Sequence, residues 1–454
     1  MRYALTLTAA TLAAVFATGP LAAQTGLTIY QDGRVLVRRT VDATVPAGAS
    51  RHRLALGELD PGSLFPLDTA LRITRARYDA AVDEDNTMRR AVGTVLPFVR
   101  HLEGRADTVR ATVLGVMPER FRLADGAVTF QRPGVPVYPA ALVLVETTVE
   151  LDLLAPARRH ALALGWFTGG ANWNAAYQVV LGRRGVARVT GHAVIPSFGI
   201  TVDSAEVQLV AGSIRRAAPP MPMMDAAEPR FRMAAEQAAA SAPEAVGEAQ
   251  LYTLPGRVTL RPGVTTSAML FEPVGAAVEK TYTVPGELPW RGFLQQNPEE
   301  QTVPVEVTWV VARGARTDFG GRPLPGGAAR LYEEDAQGRP QLVGEAAFGH
   351  TAAGQDLRLT AAHAFDLTAR RTQTTYTTQR EGNRTHAFAE YRVTVANAKD
   401  SAVTVDVLER RSGDWQVLQS SVPAERLSSS EARFRLRVPA GGETVLTYRV
   451  RVSW

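Results

Sequence analysis

Apolar and polar residues alternate with a period of two along most of this chain, and no other feature constrains its fold as strongly. Leu27-Thr28-Ile29-Tyr30 and Arg34-Val35-Leu36-Val37 read as strands joined by the turn Gln31-Asp32-Gly33. Successive side chains on a strand point to opposite faces, so such a pattern buries one face of a sheet and leaves the other wet. It recurs at Ala141 to Leu153, Ala161 to Phe167, Tyr177 to Leu181, Arg188 to Ile195 and Ala205 to Val210. Further on it marks Val303 to Val311, Ala328 to Tyr332, Tyr391 to Val395, Val403 to Leu408, Phe434 to Val438 and Val445 to Val452. Proline-glycine turns punctuate these runs at Val45-Pro46-Ala47-Gly48, Arg132-Pro133-Gly134, Arg261-Pro262-Gly263 and Val438-Pro439-Ala440-Gly441-Gly442. Proline presets one turn dihedral and glycine takes the positive one. The helical candidate Thr87 to Leu102 is interrupted by Gly93 and Pro97. The expected fold is all-β: antiparallel sandwiches in more than one domain, with a flexible linker and little helix.

Composition shifts at Arg215. Ala217-Ala218-Pro219-Pro220-Met221-Pro222-Met223-Met224 and the Ala/Glu/Pro-rich residues up to Ala249 carry no strand pattern, with room for a short helix from Arg230 to Ala240. Few of these residues could be buried, so 215–249 reads as a disordered linker. The expected organisation is a leader at 1–23, an N-terminal β region at 24–214, the linker, and a C-terminal β region at 250–454. The last part of that region, about 386–454, reads as sandwich-like.

The amino-terminal residues point to a compartment. Arg2 supplies a positive start, an apolar stretch runs from Tyr3 to Phe16, and Gly19-Pro20 and Ala22-Ala23 precede Gln24. That layout is a secretory signal peptide. Its apolar stretch is shorter than the roughly 20 residues that cross a bilayer. Export to the periplasm or cell envelope is the expectation. Cysteine is absent, so disulfides and a lipidated cysteine are excluded and stability must come from burial. With 454 residues and 45% hydrophobic content the chain can build two or more cores. Its net charge is only +5, and Lys280 and Lys399 are the only lysines. Arg38-Arg39, Arg89-Arg90, Arg183-Arg184 and Arg370-Arg371 are scattered pairs without the single basic stripe of a nucleic-acid reader, so no nucleic-acid partner is expected.

Several segments stand out together: Leu27-Thr28-Ile29-Tyr30 with Gly33 and Val37-Arg38, then Asp60-Pro61-Gly62-Ser63 after the first hairpin. Further on come Asn172-Trp173-Asn174-Ala175-Ala176-Tyr177, Val207-Gln208-Leu209-Val210-Ala211-Gly212 and Leu251-Tyr252-Thr253-Leu254-Pro255. Pro323-Leu324-Pro325-Gly326-Gly327 and Gly413-Asp414-Trp415 follow. In order, these resemble the first strands, the tryptophan-to-tyrosine signature, the strand before the variable linker, the re-entry after it and the C-terminal part of an exported bacterial family, domain of unknown function 4139, or mucoidy-inhibitor-A-like proteins. The resemblance covers nearly the whole chain beyond the leader, in order. One departure stands out: the family usually has asparagine and a small polar residue before a glycine where this chain has Ile195-Pro196-Ser197-Phe198-Gly199. The resemblance implies a β-rich exported protein and carries over no established activity.

Chemistry-bearing signatures are sparse. There is no Gly-x-Ser-x-Gly elbow, and neither lysine follows a glycine as a P-loop requires. None of the seven histidines forms a His-Glu-x-x-His pair; His350, His363 and Asp366 make the best local cluster, with a spacing that fits strand and turn better than zinc. Asp83-Glu84-Asp85-Asn86 lacks the later glycine and glutamate of a calcium loop and reads as solvated. Trp166, Phe167, Trp173 and Tyr177 fit a sandwich core better than a carbohydrate-stacking face. Met221, Met223, Met224 and Met233 offer an adaptable contact surface within the linker, or none. Leu446, Tyr448, Val450, Val452 and Trp454 alternate with polar residues, as an outer-membrane barrel strand or a half-buried sandwich strand would. The sandwich is expected, with Trp454 buried.

No catalytic, cofactor-binding or metal-ligating residue is assigned, and no cofactor is expected. The expected function is that of an exported envelope protein that binds other envelope proteins or polymers, or serves as a scaffold, without catalysis. The alternatives are a hydrolase acting on an envelope polymer through a carboxylate pair, and an outer-membrane β-barrel.

Overall fold

A computed structural model describes residues 25–102, 105–182, 185–212, 244–246, 249–286, 294–314, 317 and 319–454. The described residues are 64% strand and 4% helix, and none of the described sheets closes into a barrel. No described helix is long and apolar enough to cross a membrane. The leader at 1–23 and the linker methionines lie outside the described residues. Of the expected linker, Glu244–Val246 is described as a strand paired with Ala249 to Leu251.

Two compact units divide the chain. One comprises Met1–Ala171, Ser197–Val207 and Gly256–Val264, and the other Asn172–Pro196, Gln208–Pro255 and Thr265–Trp454. Each therefore draws on both sides of the expected linker, which a split into consecutive halves does not.

In the first unit Thr25–Tyr30, Val35–Val41, Leu162–Thr168 and Phe65–Pro66 lie side by side. A three-stranded sheet places Thr148–Ala155 between Gly48–Leu54 and Arg72–Asp79. A five-stranded sheet carries its own core: Leu96, Phe98, Ala111, Val113 and Phe121 close around Met88. Met88 belongs to the helix Glu84–Arg90, which corrects the helical expectation for Thr87 to Leu102. The helix starts earlier, because the Asp83 carboxylate caps it by accepting from the Asn86 N–H at 2.8 Å. It ends before Gly93, whose φ of +88° departs from the helical region. The residues Val95–Leu102 then form a strand that pairs with Arg105–Val116 despite Pro97.

The second unit turns on two long strands. Thr265–Val284 pairs with Val186–Pro196 through its first part and with Gln301–Val311 through Val278 to Thr283. Leu357–Glu381 pairs first with Gln301–Val311 and then with Arg384–Asn397. Glu443–Ser453 follows, flanked by Asp414–Ser420. Val403–Arg410 and Glu431–Val438 pair with each other and supply residues to the same core. That core is the alternate residues of each strand: Ala389, Tyr391 and Val393 face Val450, Tyr448 and Leu446 in register, and Val405 and Val407 pair with Leu436 and Phe434. The sandwich therefore recruits strands well upstream of residue 386. Asn174–Leu181 pairs in parallel with Gly327–Glu334, and so does Tyr282 to Val284 with Val405 to Val407.

Trp454 is a correction. The residue is 43% exposed, because the strand ends at Ser453 and the alternation breaks there, with Val452 and Ser453 both buried. Only the Trp454 backbone continues the sheet, exchanging hydrogen bonds with Thr385.

Candidate functional site

Four of the sequence segments singled out above meet in the second unit. Trp173 is buried and donates its indole N–H to the Val210 carbonyl at 3.2 Å. Its ring lies 6.2 Å from that of Tyr252, whose hydroxyl donates to the Pro323 carbonyl at 3.3 Å. Tyr177 donates to the Pro325 carbonyl at 2.7 Å. The Pro323-to-Gly327 segment is thus held from two strands at once. Gly327 allows this: a Cβ there would stand 2.1 Å from the Ala175 carbonyl oxygen. Gly191 does the same for Phe271, whose ring occupies the space a Cβ would need. One histidine of the local cluster weighed above belongs to this network, since His350 Nδ1 accepts from the Gly326 N–H at 3.0 Å. Partial burial lowers its imidazole pKa below the ordinary 6.5.

Arg313 closes the arrangement. It is almost fully buried and donates to the carbonyls of Ala352, Gln355 and Phe319 at 3.0, 3.1 and 3.1 Å, and to that of Arg322. Its backbone N–H donates to Asp356 at 2.9 Å. Burial lowers the guanidinium pKa, against the opposing influence of Tyr177 and Tyr252. Burial also pushes both tyrosine hydroxyls up, so they act as neutral donors. Apart from the buried Arg313 Nε, the polar side-chain groups named here are engaged by internal partners. This constellation organises loops.

A second buried polar cluster sits in the sandwich core. Glu409 is fully buried, with Arg371 bonded to Oε2 and Arg411 Nη2 2.6 Å from Oε1. Tyr448 donates to Oε2 at 2.5 Å. Arg411 and Gln373 donate to the Tyr391 hydroxyl at 3.0 and 3.2 Å. Burial opposes the charge on Arg371, but the Glu409 carboxylate outweighs it and holds the guanidinium pKa above its ordinary value. Burial drives the Tyr448 pKa well up, against the pull of Arg371. Apart from Arg411, which follows directly after the strand Val403–Arg410, these residues sit on four different strands, so the cluster ties those strands together. Two guanidiniums around one carboxylate leave one net positive charge in the core.

The same sheet presents a polar groove of about 540 Å³. Thr374, Thr375, Glu390, Arg392, Gln419, Ser420, Ser421, Thr447 and Arg449 are among its lining residues. Two bulges shape it, at Gln373/Thr375 and at Val417/Gln419, and bulges re-aim side chains out of the regular pleat. Thr375 donates to Glu390 Oε2 at 3.3 Å, and Arg449 lies 3.8 Å from Glu390 Oε1 and over the Phe388 ring at 5.4 Å. Hydroxyls, an amide and guanidinium groups on one concave surface suit a polyhydroxylated ligand carrying an acidic group.

The remaining candidates fall elsewhere. Trp166 is buried in the first unit, as Trp173 and Tyr177 are in the second, while Phe167 is half-buried. His363 stands opposite Glu306 in the sheet register, and Asp366 pairs with Lys399 at 2.9 Å, so neither joins His350. Among the described residues no three His, Asp or Glu side chains are grouped to hold a metal ion. In the segment that departs from the resemblance, Ser197 is buried and donates to the Ile200 carbonyl at 3.0 Å.

Sequence reasoning passed over Glu409, Arg411 and Arg371, although a signal was present. Each continues an inward register, Val403-x-Val405-x-Val407-x-Glu409 in one strand with Arg411 just beyond its end, and Leu367-x-Ala369-x-Arg371 in another. Compared with known proteins, the chain matches no family model and no curated protein sequence.

Proposed function

We propose that this is an exported cell-envelope protein of the domain-of-unknown-function-4139 kind, which works by binding an envelope polymer or protein rather than by catalysis. The observation that carries this reading is the polar groove bounded by Thr375, Arg392, Gln419 and Arg449. It offers several hydrogen-bonding groups, while its one carboxylate among the described lining residues, Glu390, is already engaged by Thr375 and Arg449. A glycosidase needs two carboxyl groups roughly 5–10 Å apart around the scissile bond. The leader-like residues before Gln24 support an envelope location.

The test is co-sedimentation of the purified protein with isolated envelope sacculi and with detergent-washed outer membrane. The parent protein is expected in the pellet, and Arg392→Ala combined with Arg449→Ala is expected to release it. Polymer cleavage that disappears in Glu390→Gln would replace this reading with the hydrolase.

A further inference from the structure

A concentrated basic face lies in the first unit, on the three-stranded sheet. One side of its central strand is apolar and sealed: Val149, Leu151 and Leu153 are buried. On the other side Glu150 and Asp152 alternate with them, and sheet register sets two arginines beside each carboxylate. Arg53 and Arg77 flank Glu150, and Arg51 and Arg75 flank Asp152. Arg51 Nε lies 2.7 Å from Asp152 and 3.8 Å from Glu150, and Arg75 lies 3.8 Å from Asp152. The Arg51 and Arg75 side chains nevertheless stay 61% and 74% exposed.

Four guanidiniums against two carboxylates leave a net charge of +2 on this ladder. Exposed ion pairs add little to stability, so pairing alone does not account for two arginines per carboxylate. Rows two residues apart repeat at about 6.7 Å along the strand, and the outer arginine strands are about 10 Å apart. The face thus presents a short two-dimensional array in which cationic donors alternate with anionic acceptors.

We infer that this face binds a linear acidic polysaccharide, whose carboxylates pair with the flanking arginines while its ring hydroxyls donate to Glu150 and Asp152. The alternation selects this class. A bare phosphodiester chain offers few donors and would meet repulsion at both central carboxylates. The ladder also has no aromatic ring for base stacking, which single-stranded nucleic acids use. The choice of a polysaccharide over other polyanions rests on the envelope reading above, whereas the site itself is separate from the groove.

The experiment is a titration of the full-length protein with polygalacturonate, with neutral dextran, duplex DNA and phosphatidylglycerol vesicles as comparison arms. Polygalacturonate should bind, dextran should not, and the affinity should fall steeply as salt is raised. Arg53→Ala combined with Arg77→Ala should weaken binding at least tenfold, by about 1.4 kcal/mol or more, without lowering the melting temperature. Arg53→Lys with Arg77→Lys should restore part of the loss, because charge is kept while the planar fork is not. Arg330→Ala with Arg339→Ala, two exposed arginines outside both the ladder and the groove, should leave it unchanged. The inference is overturned if polygalacturonate fails to bind, if DNA or vesicles bind more tightly, or if the Arg53/Arg77 variant binds as the parent does. Loss confined to the Arg392/Arg449 variant would overturn it too, while leaving the groove reading intact.

Discussion

Tyr177 donates its hydroxyl to the carbonyl of Pro325 across 148 positions of sequence, at 2.7 Å and in a buried setting. The bond ties the strand Asn174–Leu181 to the segment entering its parallel neighbour, Gly327–Glu334. Removing it by Tyr177→Phe leaves a buried carbonyl without this donor, at a cost of about 1–3 kcal/mol. Tyr177→Ala adds a cavity and should cost about 3–5 kcal/mol. Urea denaturation measures both, and a Tyr177→Phe midpoint equal to the parent's would remove the bond from the account.

The Glu409 cluster makes a sharper prediction. Glu409→Ala strands Arg371 and Arg411 in the core and should cost about 3–5 kcal/mol, because breaking one member of a buried ionic group leaves uncompensated charge. Replacing all three with apolar residues of similar volume should recover most of that loss, since a well-packed apolar substitute is commonly neutral or stabilising. Equilibrium unfolding of the single and triple variants decides it. A single variant as stable as the parent would show that the charges are solvated.

His350 gives the network a pH response. Its pKa lies below 6.5 in the folded protein because burial disfavours the charged ring, and its Nδ1 must be unprotonated to accept from Gly326. As pH falls below about 6.5 the unfolded chain takes up a proton that the folded chain resists. The stabilisation from neutral His350 is therefore complete above that pH and is lost as pH drops through the lowered folded value. His350→Asn keeps an acceptor without titrating, so the drop in unfolding midpoint between about pH 7.5 and 5.5 should be smaller in the variant. An identical drop in both proteins would contradict this.

The final strand predicts a contrast between neighbours. Val450 and Val452 are buried in the sandwich, whereas Trp454 is 43% exposed. Deleting 450–454 should cost several kcal/mol, since each large apolar side chain contributes about 1.5–3 kcal/mol on full burial. Trp454→Ala should cost under about 1 kcal/mol. Thermal melts of the two variants test the contrast, and a large loss from Trp454→Ala alone would refute it.

Local patterning made much of this legible. Period two identified most strands and the inward face of the sandwich, including Leu446, Tyr448, Val450 and Val452. The same period, followed into charged residues, would have placed Glu409 and Arg411 inside. It would also have shown that Arg51-His52-Arg53 and Arg75-Ala76-Arg77 each present two arginines on one strand face. The charge reading looked at adjacent arginines, and adjacent residues on a strand face opposite ways. That Thr148–Ala155 lies between those two strands was not legible, because strand pairing between distant segments leaves no local mark. The parallel pairing of Asn174–Leu181 with Gly327–Glu334 was hidden for the same reason, and so was the division into units that share both sides of the linker. Arg313 lacked a signal altogether: its partners are backbone carbonyls, which every residue possesses.

Export and binding can be tested together in a single experiment. The full-length gene product is expressed in cells, the cytoplasmic and envelope fractions are separated, and the protein in each is sequenced from its amino terminus. The account predicts recovery from the envelope fraction with a mature terminus near Gln24, retained on washed envelope material through the Arg392 and Arg449 groove. Protein that keeps Met1 and stays in the cytoplasm would contradict it.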